Sequence, residues 1–262
     1  MVAELPSPEI IDVDALAASL VGAQIEMVCV LGPTASGKTR YAVSLAHMLN
    51  ERLGGPKCEI VSADSRQVYC GMDIGTGKDL DEYGDIPYHL IDILPAGSKY
   101  NVYQYQQDFA RIYQDIRIRG CVPILCGGTG LYIEAAACGY DFHKESPTVD
   151  PALLPTRTYF IGTLVDRETR NARIDARLKS RLGEGLVEEI RGLLDSGVSA
   201  EDLIFYGLEY KFVTQYVIGE LSFDEMYTLL SNAIHQFAKR QMTWFRGMER
   251  DGIIIHWTLP ES

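Results

Sequence analysis

The run Val28-Cys29-Val30-Leu31-Gly32-Pro33-Thr34-Ala35-Ser36-Gly37-Lys38-Thr39 narrows the possible folds more than any other stretch of this chain. Its apolar start predicts a buried strand. Gly-x-x-x-x-Gly-Lys-Thr then predicts a phosphate-binding loop that opens a helix at Thr39. Glycines let the backbone curl so that successive amides point at an anion, and the helix start adds the positive end of its dipole. A phosphate-bearing ligand is therefore expected against Gly32, Thr34, Ala35, Ser36, Gly37, Lys38 and Thr39. Lys38 supplies a full charge there, and the Thr39 hydroxyl is the expected Mg²⁺ ligand.

Composition sets the frame for such a loop. A chain of 262 residues is enough for one large α/β domain or for one domain plus a small subdomain, and 47% apolar with 23% charged residues is ordinary for a water-soluble globule. The net charge of -12 gives no general attraction for nucleic acid, so a polyanion would need a local basic face. The cysteines (Cys29, Cys58, Cys70, Cys121, Cys126, Cys138) sit mostly in apolar runs without metal-site spacing, and are expected as free thiols. No apolar run approaches the ~20 residues of a membrane span, and no signal-peptide pattern opens the chain. A cytoplasmic protein without a membrane partner is expected, acting as a monomer. Residues 1–24 read as an N-terminal appendage and 25–262 as a single domain.

Along the chain, Tyr41, Leu45, Met48 and Leu49 give the helix after the loop a core face, and Gly54-Gly55-Pro56 stops it. Glu59–Ser62 is a second strand, followed at once by Ala63-Asp64-Ser65-Arg66-Gln67-Val68-Tyr69. Residues just past a strand's carboxyl end line the ligand crevice of an open parallel sheet. Asp64 and Ser65 would thus lie beside the phosphate loop if the two strands are neighbours; a helix-capping role for Asp64 is the alternative. The acidic stretch Asp79 to Asp85 reads as a solvated loop. Helical spacing runs from Val102 to Ile118. Val122–Cys126 is a third strand, and Gly127-Gly128-Thr129-Gly130 turns sharply into another helix, so the Thr129 hydroxyl would face the same crevice. Tyr159–Leu164 is a further strand. Arg170 to Leu194 is a long amphipathic helix or helix pair with Arg173 and Arg177 four apart on one face. Ser222 to Arg250 is a final helix, and Ile253–Trp257 a last strand. The alternation predicts a three-layer α/β architecture around a parallel sheet, the fold class of P-loop NTPases.

Four stretches together resemble the tRNA dimethylallyltransferase (isopentenyltransferase) family. They are Gly32 to Thr39; Ser62-Ala63-Asp64-Ser65-Arg66-Gln67-Val68-Tyr69 with Gly71-Met72-Asp73-Ile74-Gly75-Thr76; Gly127-Gly128-Thr129-Gly130-Leu131-Tyr132; and Ala238-Lys239-Arg240-Gln241-Met242-Thr243-Trp244-Phe245-Arg246. The family normally carries a helical insertion after the Gly-Gly-Thr helix. Here the short stretch 139–155 stands in its place, and the insertion's Gln-Arg-x-x-Arg element has no match. His235 stands where the family usually has arginine.

The resemblance implies transfer of a five-carbon allyl group from dimethylallyl diphosphate to the exocyclic amine of an adenine, in tRNA or in a free adenine nucleotide. The residues suit such chemistry. A departing diphosphate needs preorganised cations, usually the largest catalytic contribution, which Lys38, the loop amides and Thr39 with Mg²⁺ supply. The amine must lose a proton as its new bond forms, and a nearby carboxylate is the natural acceptor. By resemblance Asp64 is that base. Likewise by resemblance, Arg177 with Arg173 completes the diphosphate clamp, Ser65 and Gln67 hold the adenine, and Thr129 lies near the acceptor. Lys239, Arg240, Arg246 and Arg250 are the basic residues available to a tRNA. An ATP-dependent small-molecule kinase would use Lys38, Thr39 and Asp64 equally well; the Asp-Ser-Arg-Gln-Val-Tyr stretch argues against it.

Overall fold

Every residue of the first strand, β1 (Met27–Leu31), is buried, but its side chains serve two different cores. Met27, Cys29 and Leu31 point to one face of the sheet and Val28 and Val30 to the other, the two-residue period of a strand covered on both sides. The computed structural model describes residues 6–138 and 149–260.

The sheet is built from β1, β2 (Cys58–Ser62), β4 (Tyr88–His89), β6 (Val122–Gly127), β7 (Thr158–Thr163) and β8 (Ile255–Thr258) in the order β4-β2-β6-β1-β7-β8. Every pairing is parallel. From β1 the chain first fills one side of the sheet and then crosses to the other, so the carboxyl end of β1 is a topological switch point, where such sheets bind ligands. The strands of the phosphate loop and of Asp64 are not neighbours, as the sequence reading had them conditionally. β6 runs between them, which inserts the Gly127–Thr129 turn into the crevice.

On one face lie α1 (Val13–Val21) and α2 (Lys38–Leu53). Leu16, Ala17 and Leu20 of α1 are buried against that core, and Glu9 N–H donates to Trp257 O at 2.7 Å, so residues 9–21 are docked on the domain rather than appended to it. The α2 helix ends at Gly54, whose φ of 75° is the left-handed cap that glycine accepts without strain. The other face carries α3 (Val102–Ile118), α4 (Gly130–Ala137) and the distal half of α9 (Phe223–Arg250).

The three layers hold only part of the chain. The long amphipathic stretch after β7 is a pair, α5 (Arg167–Gly183) and α6 (Leu186–Asp195), broken at Gly185 with φ 107°. Two further helices, α7 (Ala200–Tyr206) and α8 (Leu208–Val217), fill residues 200–217. With the first half of α9 they enclose a third apolar cluster that contains no residue of the six-stranded sheet. It also takes up Val68, Tyr69 and Met72 around β3 (Tyr69–Cys70), which pairs with β5 (Leu94–Pro95) in a small second sheet. The stretch 139–155 falls largely outside the described residues. Where it becomes visible, Leu154 is buried in the sheet core, and Gln114 Nε2 donates to Leu153 O at 3.0 Å. No helix among the described residues is long and apolar enough to cross a membrane.

Candidate active site

The carboxyl ends of β1, β2 and β6 open on a cavity of about 490 Å³ between the sheet and the helical block. Lys38, Thr39, Asp64, Ser65, Gln67, Thr129 and Arg177 all line it, together with Thr34. Residues chosen from four separate stretches of sequence thus converge on one wall system.

The phosphate loop is shaped by alternating left-handed residues, Ala35 at φ 62° and Gly37 at φ 80°, the conformation that turns successive amides inward. Gly32 is required by crowding: a Cβ there would lie 2.1 Å from Thr163 Oγ1. Ser36 is wholly buried, its hydroxyl 2.6 Å from Thr163 Oγ1, so its side chain anchors the loop to β7. Gly32 and Ser36 therefore hold the loop's shape, and their side-chain positions are not on the cavity wall.

Asp64 sits in an Asx turn. Its own amide donates to Ser62 Oγ at 3.2 Å, and its Oδ1 accepts from Arg66 N–H at 2.9 Å. Its Oδ2 makes no hydrogen bond among the described residues, leaving one carboxylate oxygen for a ligand proton. The turn from β6 is zipped to this segment: Ala63 N–H donates to Cys126 O at 2.8 Å, Thr129 N–H to Ala63 O at 3.2 Å and Ser65 N–H to Thr129 Oγ1 at 3.2 Å. Only glycine fits at 127, where a Cβ would meet Ala63 O at 2.3 Å. Gln67 lines the cavity, but its amide is engaged internally, with Ser62 Oγ donating to Oε1 at 2.9 Å.

One side chain ties these loops together. Gln241, buried on α9, accepts from Thr34 N–H at 2.8 Å and donates to Gly128 O at 2.9 Å. The sequence marked Gln241 only as part of the last motif; its spacing gave no sign that one amide spans two loops.

The charged wall comes from α5. Arg177 Nη2 donates to Asp79 Oδ2 at 2.7 Å and to Gly77 O at 3.4 Å. Asp79, exposed as expected of a solvated loop, thus also belongs to the site's frame. Arg173 is exposed and lines an adjoining cavity of about 360 Å³ with Ala35, Gly37, Arg40 and Glu82; Lys38, Thr39 and Arg177 border both spaces. Arg173 is therefore not brought to Asp64. Burial pulls the Lys38 ammonium below its usual range, and the charges of Arg177 and Arg181 act the same way, against Cys126 and Asp64. Cys126, in the same cavity, is pushed by burial to about 12 and stays a thiol.

Sequence reading missed Arg181, Arg66, Tyr206, Glu209 and Phe237, all on the cavity wall. For Arg181 a signal existed: it continues the four-residue step from Arg173 and Arg177 along α5. Lys78 is 1% exposed and bonded to Tyr69 O at 2.7 Å, Asp73 Oδ1 at 2.6 Å and Asp92. It braces the small sheet and is closed to ligands.

A metal donor set is present only in part. Among the described residues, no three His, Cys, Asp or Glu side chains converge. Mg²⁺ rarely takes an all-protein cage and is usually held through one or two protein oxygens plus substrate phosphates. Thr39, sharing one cavity with Lys38, fits that pattern as a protein oxygen beside the phosphate site.

The family model described as IPP transferase matches residues 67–154 and 141–248. The chain belongs to this family. It is 47% identical to tRNA dimethylallyltransferase 2 of Porphyromonas gingivalis, over 88% of this chain and 93% of that one. It is likewise 47% identical to tRNA dimethylallyltransferase 1 of Parabacteroides distasonis, over 90% and 94%. Among solved structures it is similar to the tRNA isopentenylpyrophosphate transferase of Bacillus halodurans, with TM-score 0.75, 28% identity and coverage of 88% and 89%. The alignment to the Porphyromonas relative runs over 287 positions, more than the 262 residues present here, so that relative carries residues with no counterpart in this chain.

Proposed function

We propose that this member of the family transfers a dimethylallyl group from dimethylallyl diphosphate to the exocyclic amine of an adenine in tRNA. The observation that carries this reading is that one cavity is lined by Lys38, Thr39, Arg177 and Asp64. Lys38, the loop amides and Arg177 hold the diphosphate and neutralise it as it leaves. Thr39, with the diphosphate oxygens, would hold Mg²⁺, whose charge adds to that neutralisation when it is bound. Asp64 accepts the amine proton through its unbonded oxygen. Ser65, Gln67 and Thr129 border the acceptor's position.

Support for tRNA as the acceptor comes from the names of the relatives at 47% identity. The stretch 139–155 is read as a shortened form of the family's insertion, supported by the surplus length of the relatives' alignments. Action as a monomer is part of this reading, and the unpaired cysteines fit a reducing, cytoplasmic setting.

The test is incubation with labelled dimethylallyl diphosphate and, separately, unmodified tRNA or AMP. Label is expected in tRNA. Label in AMP alone would move the enzyme to the free-nucleotide class, and ATP consumption without use of dimethylallyl diphosphate would make it a kinase.

A further inference from the structure

Two guanidinium groups of α5 converge on a single glycine. A Cβ on Gly77 would lie 1.8 Å from Arg181 Nη2 and 2.1 Å from Arg177 Nη2. Gly77 has φ 60°, so the backbone there is already in the region glycine favours. The loop that carries it is held by an independent brace. Glu189 of α6 accepts from the amides of Asp73, Ile74 and Gly75 at 2.8, 2.7 and 3.1 Å, and from Tyr210 Oη at 2.6 Å. Like charges side by side, in a largely buried place, need a reason.

Arg181 is 9% exposed. Its Nη1 donates to Gly75 O and to Glu209 Oε1, both at 3.1 Å. A guanidinium has five N–H donors, and Nη2 and Nε of Arg181 meet no acceptor among the described residues. Its side chain lines the cavity that holds Lys38 and Asp64. Arg181 is thus oriented by a carboxylate and a carbonyl through Nη1, with the donors of Nη2, beside Gly77, and of Nε left for another acceptor. That is the arrangement of a preorganised anion contact rather than of a closed ion pair.

We propose that Arg181 is a second guanidinium of the donor clamp, contacting the diphosphate beside Arg177, and that Gly77 is a positioning residue that leaves room for both. The inference rests on the donor reading given above. Burial and the Arg177 charge lower the Arg181 pKa, and a diphosphate between the two groups relieves that repulsion. Asp79 pairs with Arg177 and Glu209 with Arg181, so the cations of this wall do not stand uncompensated.

The test measures inorganic pyrophosphate binding by calorimetry, and KM for dimethylallyl diphosphate and for tRNA, in four proteins: the parent, Arg181→Met, Gly77→Ala, and the double variant Arg181→Met/Glu209→Leu. Arg181→Met should weaken pyrophosphate binding and raise the donor KM by about tenfold to a hundredfold, the worth of a charge-assisted hydrogen bond, with the tRNA KM unchanged. Gly77→Ala should act in the same direction, more weakly. The double variant should regain the melting temperature lost by stranding Glu209, yet not the pyrophosphate affinity. A double variant, or a folded Arg181→Met, that binds pyrophosphate as the parent does would overturn the inference and leave a structural ion pair. If the parent itself binds neither pyrophosphate nor dimethylallyl diphosphate, the donor reading fails first and the inference falls with it.

Discussion

The two walls of the cavity are made by different means. On the sheet side, function rests on backbone: strand ends, glycines at 32, 127 and 128, and short side chains such as Thr39, Asp64 and Thr129. On the helical side it rests on long side chains. Arg177 and Arg181 reach the ligand space only because Asp79, Glu209 and the carbonyls of Gly75 and Gly77 aim them. A backbone wall is rigid because its parts are held by the ladder that makes the fold. A side-chain wall owes its order to a few pairwise contacts, and can be loosened one contact at a time.

The comparison breaks most sharply at the chemical centre. Asp64→Asn keeps shape and removes basicity, so turnover should fall by about 10²–10⁴-fold while donor affinity stays close to normal. Lys38→Ala should cost on the order of 3 kcal/mol in the transition state, about 10²-fold, in a protein that still folds. Single-turnover kinetics and pyrophosphate binding separate the two. A folded Lys38→Ala enzyme with near-normal turnover would remove Lys38 from the mechanism.

Gln241→Leu is the next largest, because it attacks the backbone wall from the helical side. It strands Thr34 N–H and Gly128 C=O, at about 1–3 kcal/mol for each group left bare and buried. Thermal melts should record the loss, and the donor KM should rise as the phosphate loop slackens. If stability falls with KM unmoved, the loop is held well enough by Ser36 and Thr163 alone.

A smaller effect concerns the tRNA. With a net charge of -12, only local cations such as the exposed Lys239, Arg240 and Arg250 are available, so few phosphate contacts are expected. Each contributes a slope of about -0.9 (duplex) or -0.7 (single strand) in log affinity against log salt. A salt titration should therefore give a shallow line. A steep one would reveal a basic surface beyond this helix.

The smallest effect lies at the far edge of the sheet, away from both walls. Burial would raise the Glu59 carboxyl, but hydrogen bonds from Arg119 and His89 outweigh it and hold the group at about 2, below its usual 4.5. A depressed carboxylate stabilises the fold above its unfolded pKa, and that stability is lost as pH falls toward the folded one. Glu59→Gln should lower the melting temperature slightly at neutral pH, and the gap from the parent should close between pH 4.5 and about 2. A gap that persists at the acid end would assign it to packing.

How much of this was legible follows the same division. The sheet wall announced itself, because strands bounded by glycine turns leave a pattern in a single sequence. The order of strands did not: nothing in residues 58–62 says that β6 will lie between β2 and β1. The stretch 196–221 gave no reading, since helices of 7 and 10 residues are too short to show a clear period. Glu209 and Tyr210 face inward there only because Arg181 and Glu189 wait on other helices. Partners fixed by tertiary contact leave no mark on local spacing.

The course of α9 bears on how the chain is made. Met226, Leu230, Ile234 and Ala238 close the helical cluster, while Met242, Phe245 and Met248 close one face of the sheet. Both interiors therefore stay open, with apolar surface bare, until residues 226–248 have left the ribosome. The remaining cluster, between α1, α2 and the opposite face of the sheet, contains no residue of α9 and does not depend on it in this way.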